Sequence, residues 1–381
     1  MTSVYFDNAA TTNIRPEVVD AMSDVLKNSF GNPSSTHSYG RSSKSLIEES
    51  RKSIAAHFNA LPSEIVFTSG GTEADNLALR SAVRDLGIKH IITSRIEHHA
   101  VLHMAEQLQL EYDVEISYVN LIDNGAIDLS HLEELLKQSD PSIVSLMHVN
   151  NEIGNLLDFQ TVADLCKKYD ALFHSDCVQS VGHFPIDVSK TPIDFFAASA
   201  HKFHGPKGVG FAYIRKDSGL KPLIFGGEQE RGYRAGTEST HNIVGLDRSL
   251  AMAYEHLDKE QKYITALKSR FISKAQELIP GIGFNGLSGD LDKSTYTLVS
   301  VRLPIPPEKS GMLLFQLDLK GIACSKGSAC QSGSTQSSHV LSEILSEEQL
   351  QQPSIRFSFS CYNTEEEVDY VVETLAELVN A

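Results

Sequence analysis

The segment Ile193-Asp-Phe-Phe-Ala-Ala-Ser-Ala-His-Lys-Phe-His-Gly-Pro-Lys-Gly-Val-Gly-Phe-Ala-Tyr-Ile214 begins and ends with a short apolar run. Each run has the length and composition of a buried strand, and the Gly-Pro pair between them is typical of a turn. Lys202 follows the first run. Poor solvation at such a place favours the neutral amine, which can form a Schiff base with an aldehyde such as pyridoxal phosphate. The segment alone also allows an ordinary hairpin with a lysine that extends to solvent.

From Glu64 to the end of this segment, apolar runs rich in β-forming residues alternate with stretches of helical periodicity. The runs are Glu64–Thr68, His90–Ser94, Glu115–Asn120, Ile143–Val149, Ala171–Asp176, Asp194–Ala200 and Gly208–Ile214. The helical stretches are Thr72–Leu86, His98–Leu110, Leu129–Gln138 and Phe159–Tyr169. The alternation predicts an α/β fold with a mainly parallel seven-stranded sheet and helices on both faces. The last two runs are too close for a crossover helix, so they are predicted to pair antiparallel.

The pattern changes after Ile214. Residues 221–236 are rich in Gly and charge, and a long helix, with or without a kink, is predicted over Thr240–Leu278. An amphipathic helix over Thr364–Leu378 closes the chain. We therefore predict a large domain over residues 13–258 and a smaller α+β domain formed by residues 1–12 and 259–381, with the first dozen residues packed near the functional site.

The composition excludes several classes of protein. Of 381 residues, 41% are hydrophobic, and no apolar run approaches the ~20 residues of a membrane span. The five cysteines are widely spread, so neither a disulfide framework nor structural zinc is expected. A net charge of -16 argues against direct nucleic-acid binding. With no leader sequence recognised, a cytoplasmic location is the default expectation.

Small residues occupy the first strand–helix junction, Thr68-Ser-Gly-Gly-Thr-Glu-Ala74. They let backbone N–H groups approach an anion, and a helix N-terminus adds partial positive charge. The junction favours one phosphate group, although it matches neither common nucleotide-binding glycine motif. The alternative is a tight turn in which Thr72 caps the helix.

Histidines begin the next helix, in Glu97-His98-His99-Ala-Val-Leu-His103. His98 is nearest the strand end, and its ring can stack on a planar cofactor. His99 and His103 have the spacing of metal ligands, but no carboxylate or cysteine accompanies them at a suitable spacing, so no metal is predicted. We expect both to be ordinary helix-surface residues.

Polar side chains also end the next two runs. The amides in His148-Val-Asn-Asn-Glu-Ile-Gly154 can orient a substrate carboxylate or a cofactor oxygen, or can simply form a turn. In His174-Ser-Asp-Cys-Val-Gln179, a buried Asp176 would need a partner, and a protonated pyridine nitrogen would serve. Gln179 can hydrogen-bond a ring oxygen, and Val178 can pack under the ring. A helix cap is the alternative role for Asp176.

Eight short motifs follow one another in a specific order. They are Asp7-Asn-Ala-Ala-Thr-Thr12, Gly31-Asn-Pro-Ser-Ser35, Ser69-Gly-Gly-Thr-Glu73, Val149-Asn-Asn-Glu-Ile-Gly154, Asp176-Cys-Val-Gln179, Ser199-Ala-His-Lys202, Gly205-Pro-Lys-Gly208 and Gly226-Gly-Glu-Gln-Glu-Arg-Gly232. The order resembles that of cysteine desulfurases of the NifS/IscS type, within the class V aminotransferase family of fold-type I pyridoxal-phosphate enzymes. The resemblance covers nearly the whole chain and implies pyridoxal 5'-phosphate as cofactor.

The resemblance implies a role for each matching residue. Lys202 would be the Schiff-base lysine, Asp176 would pair with the pyridine nitrogen and Gln179 with the ring oxygen, and His98 would stack on the ring and take part in catalysis. Gly71, Thr72, Ser199 and His201 would hold the phosphate. The full cofactor-binding set is Gly71, Thr72, His98, Asn151, Asp176, Gln179, Ser199, His201, Lys202 and Thr237.

Two further roles concern the partner subunit and the substrate. Thr237 is expected to reach the phosphate of the other subunit, which implies a homodimer with sites at the interface. Asn8, Asn151 and Arg356 are expected to bind the substrate, and the planar guanidinium of Arg356 suits its carboxylate.

The stretch that separates desulfurases from aminotransferases is Cys324-Ser-Lys-Gly-Ser-Ala-Cys-Gln-Ser-Gly-Ser-Thr-Gln-Ser-Ser338. Its Gly and Ser content predicts a mobile loop over about 324–338, and Cys330 within it is the expected catalytic thiol. Cys324 ends an apolar run and is expected to be structural. Two positions depart from the family pattern: Cys177, a candidate oxidation site, and Ser360-Cys-Tyr-Asn363, where a glycine-containing turn is usual.

The resemblance predicts conversion of L-cysteine to L-alanine, with the sulfur held as a persulfide on Cys330. An acceptor protein, either an iron–sulfur scaffold or a tRNA-thiolating enzyme, would then take the sulfur. The alternatives that stay open are a selenocysteine lyase, another enzyme of the class V family, and a non-catalytic binding protein of the same fold.

Overall fold

The computed structural model describes residues 3–138, 141–307, 311–326 and 338–380. The strands in these ranges are β1 (Val4–Tyr5), β2 (Ile65–Thr68), β3 (His90–Thr93), β4 (Glu115–Tyr118), β5 (Leu121–Ile122), β6 (Ala126–Ile127), β7 (Ser142–Ser145), β8 (Leu172–Asp176), β9 (Phe195–Ser199), β10 (Gly210–Ile214), β11 (Gly283–Phe284), β12 (Leu298–Arg302), β13 (Ile322–Ala323) and β14 (Ser354–Ser358). The α-helices are α1 (Pro16–Asn28), α2 (Ser38–His57), α3 (Gly71–Leu86), α4 (His99–Tyr112), α5 (Leu129–Gln138), α6 (Phe159–Lys168), α7 (Thr240–Glu255), α8 (Leu257–Leu278), α9 (Leu313–Leu319), α10 (His339–Ile344), α11 (Glu347–Leu350) and α12 (Glu365–Asn380).

The seven strands predicted from the sequence form one sheet with the order β2-β10-β9-β8-β7-β3-β4. β10 runs antiparallel to β2 and β9, and the other neighbouring pairs are parallel. Every residue of β2, β3, β7, β9 and β10 is buried, as expected for strands rich in Val, Ile, Phe and Ala that are covered on both faces. The predicted mainly parallel α/β sheet, with its antiparallel last pair, is confirmed.

Helices cover both faces of this sheet. Successive strand residues point to opposite faces, and Ile91 and Ile92 of β3 accordingly belong to two different apolar clusters. Leu77 of α3 lies in the cluster of Ile91, whereas Leu246 of α7 lies in that of Ile92. The carboxyl ends of the central strands stay uncovered by these helices, and this edge forms the site described below.

A third apolar cluster surrounds a smaller antiparallel sheet with the order β11-β12-β14. Phe271 of α8 and Phe357 of β14 lie in this cluster together with Phe6, which follows β1. The predicted long helix is divided at His256, where the backbone leaves helical geometry, into α7 and α8. The boundaries proposed at residues 12–13 and 258–259 stay a prediction. Within the ranges that the structure describes, no helix is long and apolar enough to cross a bilayer.

A buried ion pair ties residues 221–236 to the main sheet. The Arg51 guanidinium of α2 donates to both carboxylate oxygens of Glu230, at 2.7 and 2.8 Å. The same carboxylate accepts from the Phe67 N–H of β2 at 2.8 Å, and both charged side chains are 2% exposed. Glu230 has a positive φ of 47°, a conformation that non-glycine residues rarely adopt. The pair therefore fixes a turn that the local sequence would not form by itself.

Replacement of Arg51 by methionine is expected to lower the free energy of unfolding by about 3–5 kcal/mol, because it leaves the Glu230 carboxylate buried without a cation. Urea unfolding would measure the loss, and a second change, Glu230→Leu, should restore part of it. Arg270→Met is the matched control, since the ion pair of Arg270 with Asp369 is solvent-exposed and should matter little. Equal stability losses in the Arg51 and Arg270 variants would contradict the expectation.

Candidate active site

A cavity of about 240 Å³ lies beyond the carboxyl ends of β7, β8 and β9. In a sheet of this kind, that edge is where ligands bind. The residues that line the cavity are Ala10, Gly71, Thr72, Asp75, His98, His99, Met147, Val149, Asn151, Glu152, Asp176, Val178, Gln179, Ser199, His201, Lys202 and His339. Nearly all residues predicted to bind the cofactor are therefore brought together.

Lys202 lies on a short 3-10 turn that directly follows β9. Its Nζ atom donates to the carbonyl oxygens of Ala9 at 2.6 Å and Ala10 at 2.9 Å. The Thr12 N–H and hydroxyl both bond to the His201 carbonyl, so the N-terminal segment packs against this turn. The segment thus holds the amine at the cavity wall through two backbone carbonyl groups.

Asp176 ends β8, the strand beside β9, and its side chain is 7% exposed. One carboxylate oxygen accepts from the Val178 N–H at 2.9 Å. Burial raises the pKa of Asp176, whereas His98, the Val178 N–H and Lys202 act in the opposite direction. Gln179 Nε2 donates to the Ala9 carbonyl at 2.9 Å, the same oxygen that accepts from Lys202.

The N-terminus of α3 opens onto the cavity without a side-chain cap. Gly70 is the cap residue, so the alternative in which Thr72 caps the helix is wrong. A Cβ atom on Gly71 would collide with Val178, so glycine at this position lets the backbone lie close to the residues after β8.

His201 Nδ1 is buried and has no partner, and burial together with Lys202 and Lys207 lowers its pKa to about 4. Free N–H groups at a helix start and an unsatisfied ring nitrogen fit a bound phosphate.

His98 caps the N-terminus of α4, and its Nδ1 atom accepts from the Ala100 N–H at 3.1 Å. Because Nδ1 is an acceptor, a neutral His98 carries its proton on Nε2. Burial lowers the pKa of His98, although Asp176 raises it. The lowered pKa favours the neutral form of the ring.

The expectation that His99 is an ordinary surface residue is wrong. His99 lines the cavity, stacks on His103 at a centroid distance of 4.6 Å, and contacts the His339 ring at 4.4 Å. Burial and the three neighbouring histidines lower its pKa to about 4. No group of three or more ligand side chains suited to a metal occurs in the described part of the chain.

Three predicted residues lie outside the cavity lining. The Asn8 amide donates to the Ser358 carbonyl at 2.8 Å and so connects the N-terminal segment to β14. Arg356 of β14 donates to Asp7 Oδ1 at 3.0 Å and to the Asn151 carbonyl at 2.6 Å. Thr237 is exposed. The structure does not bring these three to the cavity of the single chain, and their roles stay predictions.

The cysteines differ in environment. Cys177 is 0% exposed, and burial raises its pKa to about 12, so its thiol stays protonated and inaccessible to oxidants. Burial likewise raises the pKa of the half-buried Cys324 to about 12. Cys330 and most of its predicted mobile loop lie outside the described residues.

The lining residues that sequence reasoning did not assign to the site include Asp75, Met147, Glu152 and His339. Asp75 was detectable, because it lies between Ala74 and Leu77 on an otherwise apolar helix face. Glu152 lies within the quoted motif Val149-Asn-Asn-Glu-Ile-Gly154, but neither it nor His339 was given a role. The Ser338 hydroxyl donates to Glu152, and the His339 ring bonds to the Glu97 carbonyl, and both contacts join segments far apart in the sequence.

Comparison with known proteins places this architecture in a family. The chain belongs to the class-V aminotransferase family, whose sequence profile matches residues 4–371. A cysteine desulfurase IscS from Dictyoglomus turgidum is 41% identical to this chain over 99% of its length and 94% of the relative's. A solved NifS-like protein superposes with a TM-score of 0.90 and 35% identity over the full length of both chains. A structure named SspA in complex with cysteine gives a TM-score of 0.81 with 32% identity, covering 95% of this chain and all of the other.

Proposed function

We propose that this chain is a pyridoxal-phosphate-dependent cysteine desulfurase, which converts L-cysteine to L-alanine and transfers the sulfur to an acceptor. The observation that carries the proposal is the arrangement of Lys202, Asp176 and the uncapped N-terminus of α3 around one cavity. The similarity to cysteine desulfurases over the whole chain supports it.

The residues present fit the cofactor at each of its polar groups. The phosphate would be held by the first N–H groups of α3, with Ser199 and His201, and Thr237 of a second subunit would complete that site in a homodimer. Asp176 would pair with the pyridine nitrogen, Gln179 with the ring oxygen, and His98 would cover the ring face. When bound, pyridoxal phosphate supplies an electron sink that stabilises negative charge at the substrate α-carbon.

Proton transfer in this site falls to Lys202 and His98. The Lys202 amine is held by two backbone carbonyls and can carry a proton to and from the substrate α-carbon. His98 presents its Nε2–H to the cavity, because Nδ1 is occupied by the Ala100 N–H. A buried Asp176 carboxylate keeps a facing ring nitrogen protonated.

Arg356 and Asn151 would orient the substrate carboxylate. Two guanidinium nitrogens of Arg356 already bond to Asp7 and to the Asn151 carbonyl, whereas Nε is buried and has no partner. We assign the guanidinium N–H groups that these two bonds leave over to the substrate carboxylate. Asn8 would act at a greater distance, by holding the N-terminal segment in place.

Cys330 would receive the sulfur. Its thiolate attacks the substrate sulfur, so that an S–S bond forms as the substrate Cβ–S bond breaks, and the electron pair left on Cβ takes up a proton to give alanine. A protein acceptor, either an iron–sulfur scaffold or a tRNA-thiolating enzyme, then takes the terminal sulfur. The division into domains at residues 12–13 and 258–259 and a cytoplasmic location are part of the same proposal.

Incubation of the purified, cofactor-loaded protein with L-cysteine and a thiol reductant tests the function. We expect equal amounts of alanine and sulfide, with slower or no transfer of the amino group to a 2-oxo acid. Parallel reactions with selenocysteine separate a desulfurase from a selenocysteine lyase. Amino-group transfer without alanine release from cysteine would contradict the proposal.

A further inference from the structure

Three buried polar side chains, on β7, β8 and α3, contact one another in a line. Ser145 Oγ and His174 Nδ1 are 2.8 Å apart, and His174 Nε2 lies 3.4 Å from Asp75 Oδ1. The side chains of Asp75 and His174 are 1% and 0% exposed. Neither Asp75 Oδ1 nor His174 Nε2 has a hydrogen-bond partner, so the 3.4 Å contact is not a hydrogen bond.

The fold accounts for this line. His174 and Asp176 are two residues apart in β8 and so project from the same face of the strand, while Ser145 is the partner of His174 in the neighbouring strand β7. Asp75 lies in the second turn of α3, which packs on the face of the sheet that carries these side chains. Two aspartates from different elements therefore face the same cavity.

The two carboxylates have unequal surroundings. Asp176 accepts from the Val178 N–H and faces His98 and Lys202. Two carboxylates, those of Asp176 on β8 and Glu97 before α4, act electrostatically on Asp75 and raise its pKa. Of the titratable groups nearby, burial keeps the pKa of His174 at about 3 and raises that of Cys177 to about 12, so neither carries charge at neutral pH.

Two adjacent carboxylates in a buried site cannot both be ionised without a cation between them. We propose that Asp75 is a positioning residue that holds a proton beside His174, in the cavity that it lines with Asp176, so that the single negative charge of the aspartate pair lies on Asp176. The pKa of Asp75 is raised well above its ordinary value by burial and by Asp176 and Glu97, in agreement with this assignment. The inference rests on the proposed function, since Asp176 is the residue expected to face the pyridine nitrogen.

Infrared spectroscopy of the full-length protein near neutral pH tests the proton directly, because a protonated carboxyl has a C=O stretch that a carboxylate lacks. The wild-type minus Asp75→Asn difference spectrum should contain one such band, both with and without bound pyridoxal phosphate. Glu97→Gln is the matched control: Glu97 is also buried with a raised pKa, and its replacement should remove a different band and keep that of Asp75. A difference spectrum for Asp75→Asn without an acid band would overturn the proposal.

A measurement on the wild-type protein covers the case in which Asp75→Asn does not fold. Carbon-13 labelling of all aspartates should shift an acid band to lower frequency, whereas a band that belongs to Glu97 would not move. If no acid band shifts, Asp75 is ionised and the proposal is wrong.

The dissociation constant of pyridoxal phosphate provides a second test, because it depends on whether the substitution removes a charge. Since asparagine replaces an uncharged group, Asp75→Asn should change the dissociation constant of pyridoxal phosphate by less than about twofold. Loss of affinity as large as that caused by Asp176→Asn would show that a charge had been removed and would contradict the proposal. If the wild-type protein bound no pyridoxal phosphate, the proposed function would fail, while the infrared result would still decide where the proton is.

Discussion

Lys202→Ala is expected to abolish turnover of cysteine and to remove the visible absorbance of the cofactor-loaded protein. The amine is the group expected to hold the cofactor covalently, and it is also the proton carrier at the substrate α-carbon. Proton transfer by a positioned side chain contributes up to about 10⁴-fold, so turnover should fall by roughly a thousandfold or more. Alanine release and the absorbance spectrum of the purified variant measure both effects.

Lys207→Ala is the matched control for this experiment. Lys207 is an exposed lysine five positions along the same segment, outside the cavity lining. Its replacement should preserve the spectrum and most of the activity. An unchanged visible spectrum in Lys202→Ala would remove Lys202 from its role.

Cys330→Ser is expected to retain the bound cofactor but to release alanine from cysteine at a rate lower by about a hundredfold or more, because a serine hydroxyl is not ionised and cannot accept sulfur. The two readouts separate the roles: the visible spectrum reports the cavity, and alanine release reports the sulfur-accepting thiol. Rapid quenching and mass spectrometry should detect one additional sulfur on wild-type Cys330 and none on the variant.

Cys324→Ser is the control, because burial keeps the Cys324 thiol protonated and its side chain packs against the apolar cluster around Phe271 and Phe357. It should release alanine at close to the wild-type rate. Normal alanine production by Cys330→Ser would mean that the thiol has no part in the reaction, and an aminotransferase or selenocysteine lyase would then become the better proposal.

Both experiments concern residues that the sequence identified, Cys330 from its Gly- and Ser-rich stretch and the family resemblance, and Lys202 from its place at the end of a strand. Lys202 and Asp176 each end an apolar run, and neighbouring parallel strands bring their carboxyl ends to one edge of the sheet. The junction before α3, which we predict to bind phosphate, was identified in the same way, from small residues between a strand and a helix. Chain order and local periodicity are sufficient for such residues, because each lies at the end of an element whose direction the sequence already predicts.

Other residues could not be placed by this reasoning. The predicted surface residue His99 stacks on His103 and contacts the ring of His339, the first residue of α10. Arg356, predicted as a substrate ligand, bonds to Asp7 from the opposite end of the chain. These contacts depend on how separate elements pack, and no short stretch of sequence records that packing.

The sequence by itself determined the seven strands, the antiparallel last pair, and the order of motifs that indicates the family, because hydrophobic period and chain order are local properties. Only the tertiary structure decided that Asp75 meets His174 and that Glu230 is buried against Arg51. In both cases the protonation state of a side chain depends on the exclusion of water and on the charged groups of other elements beside it. Both are set only when the chain folds.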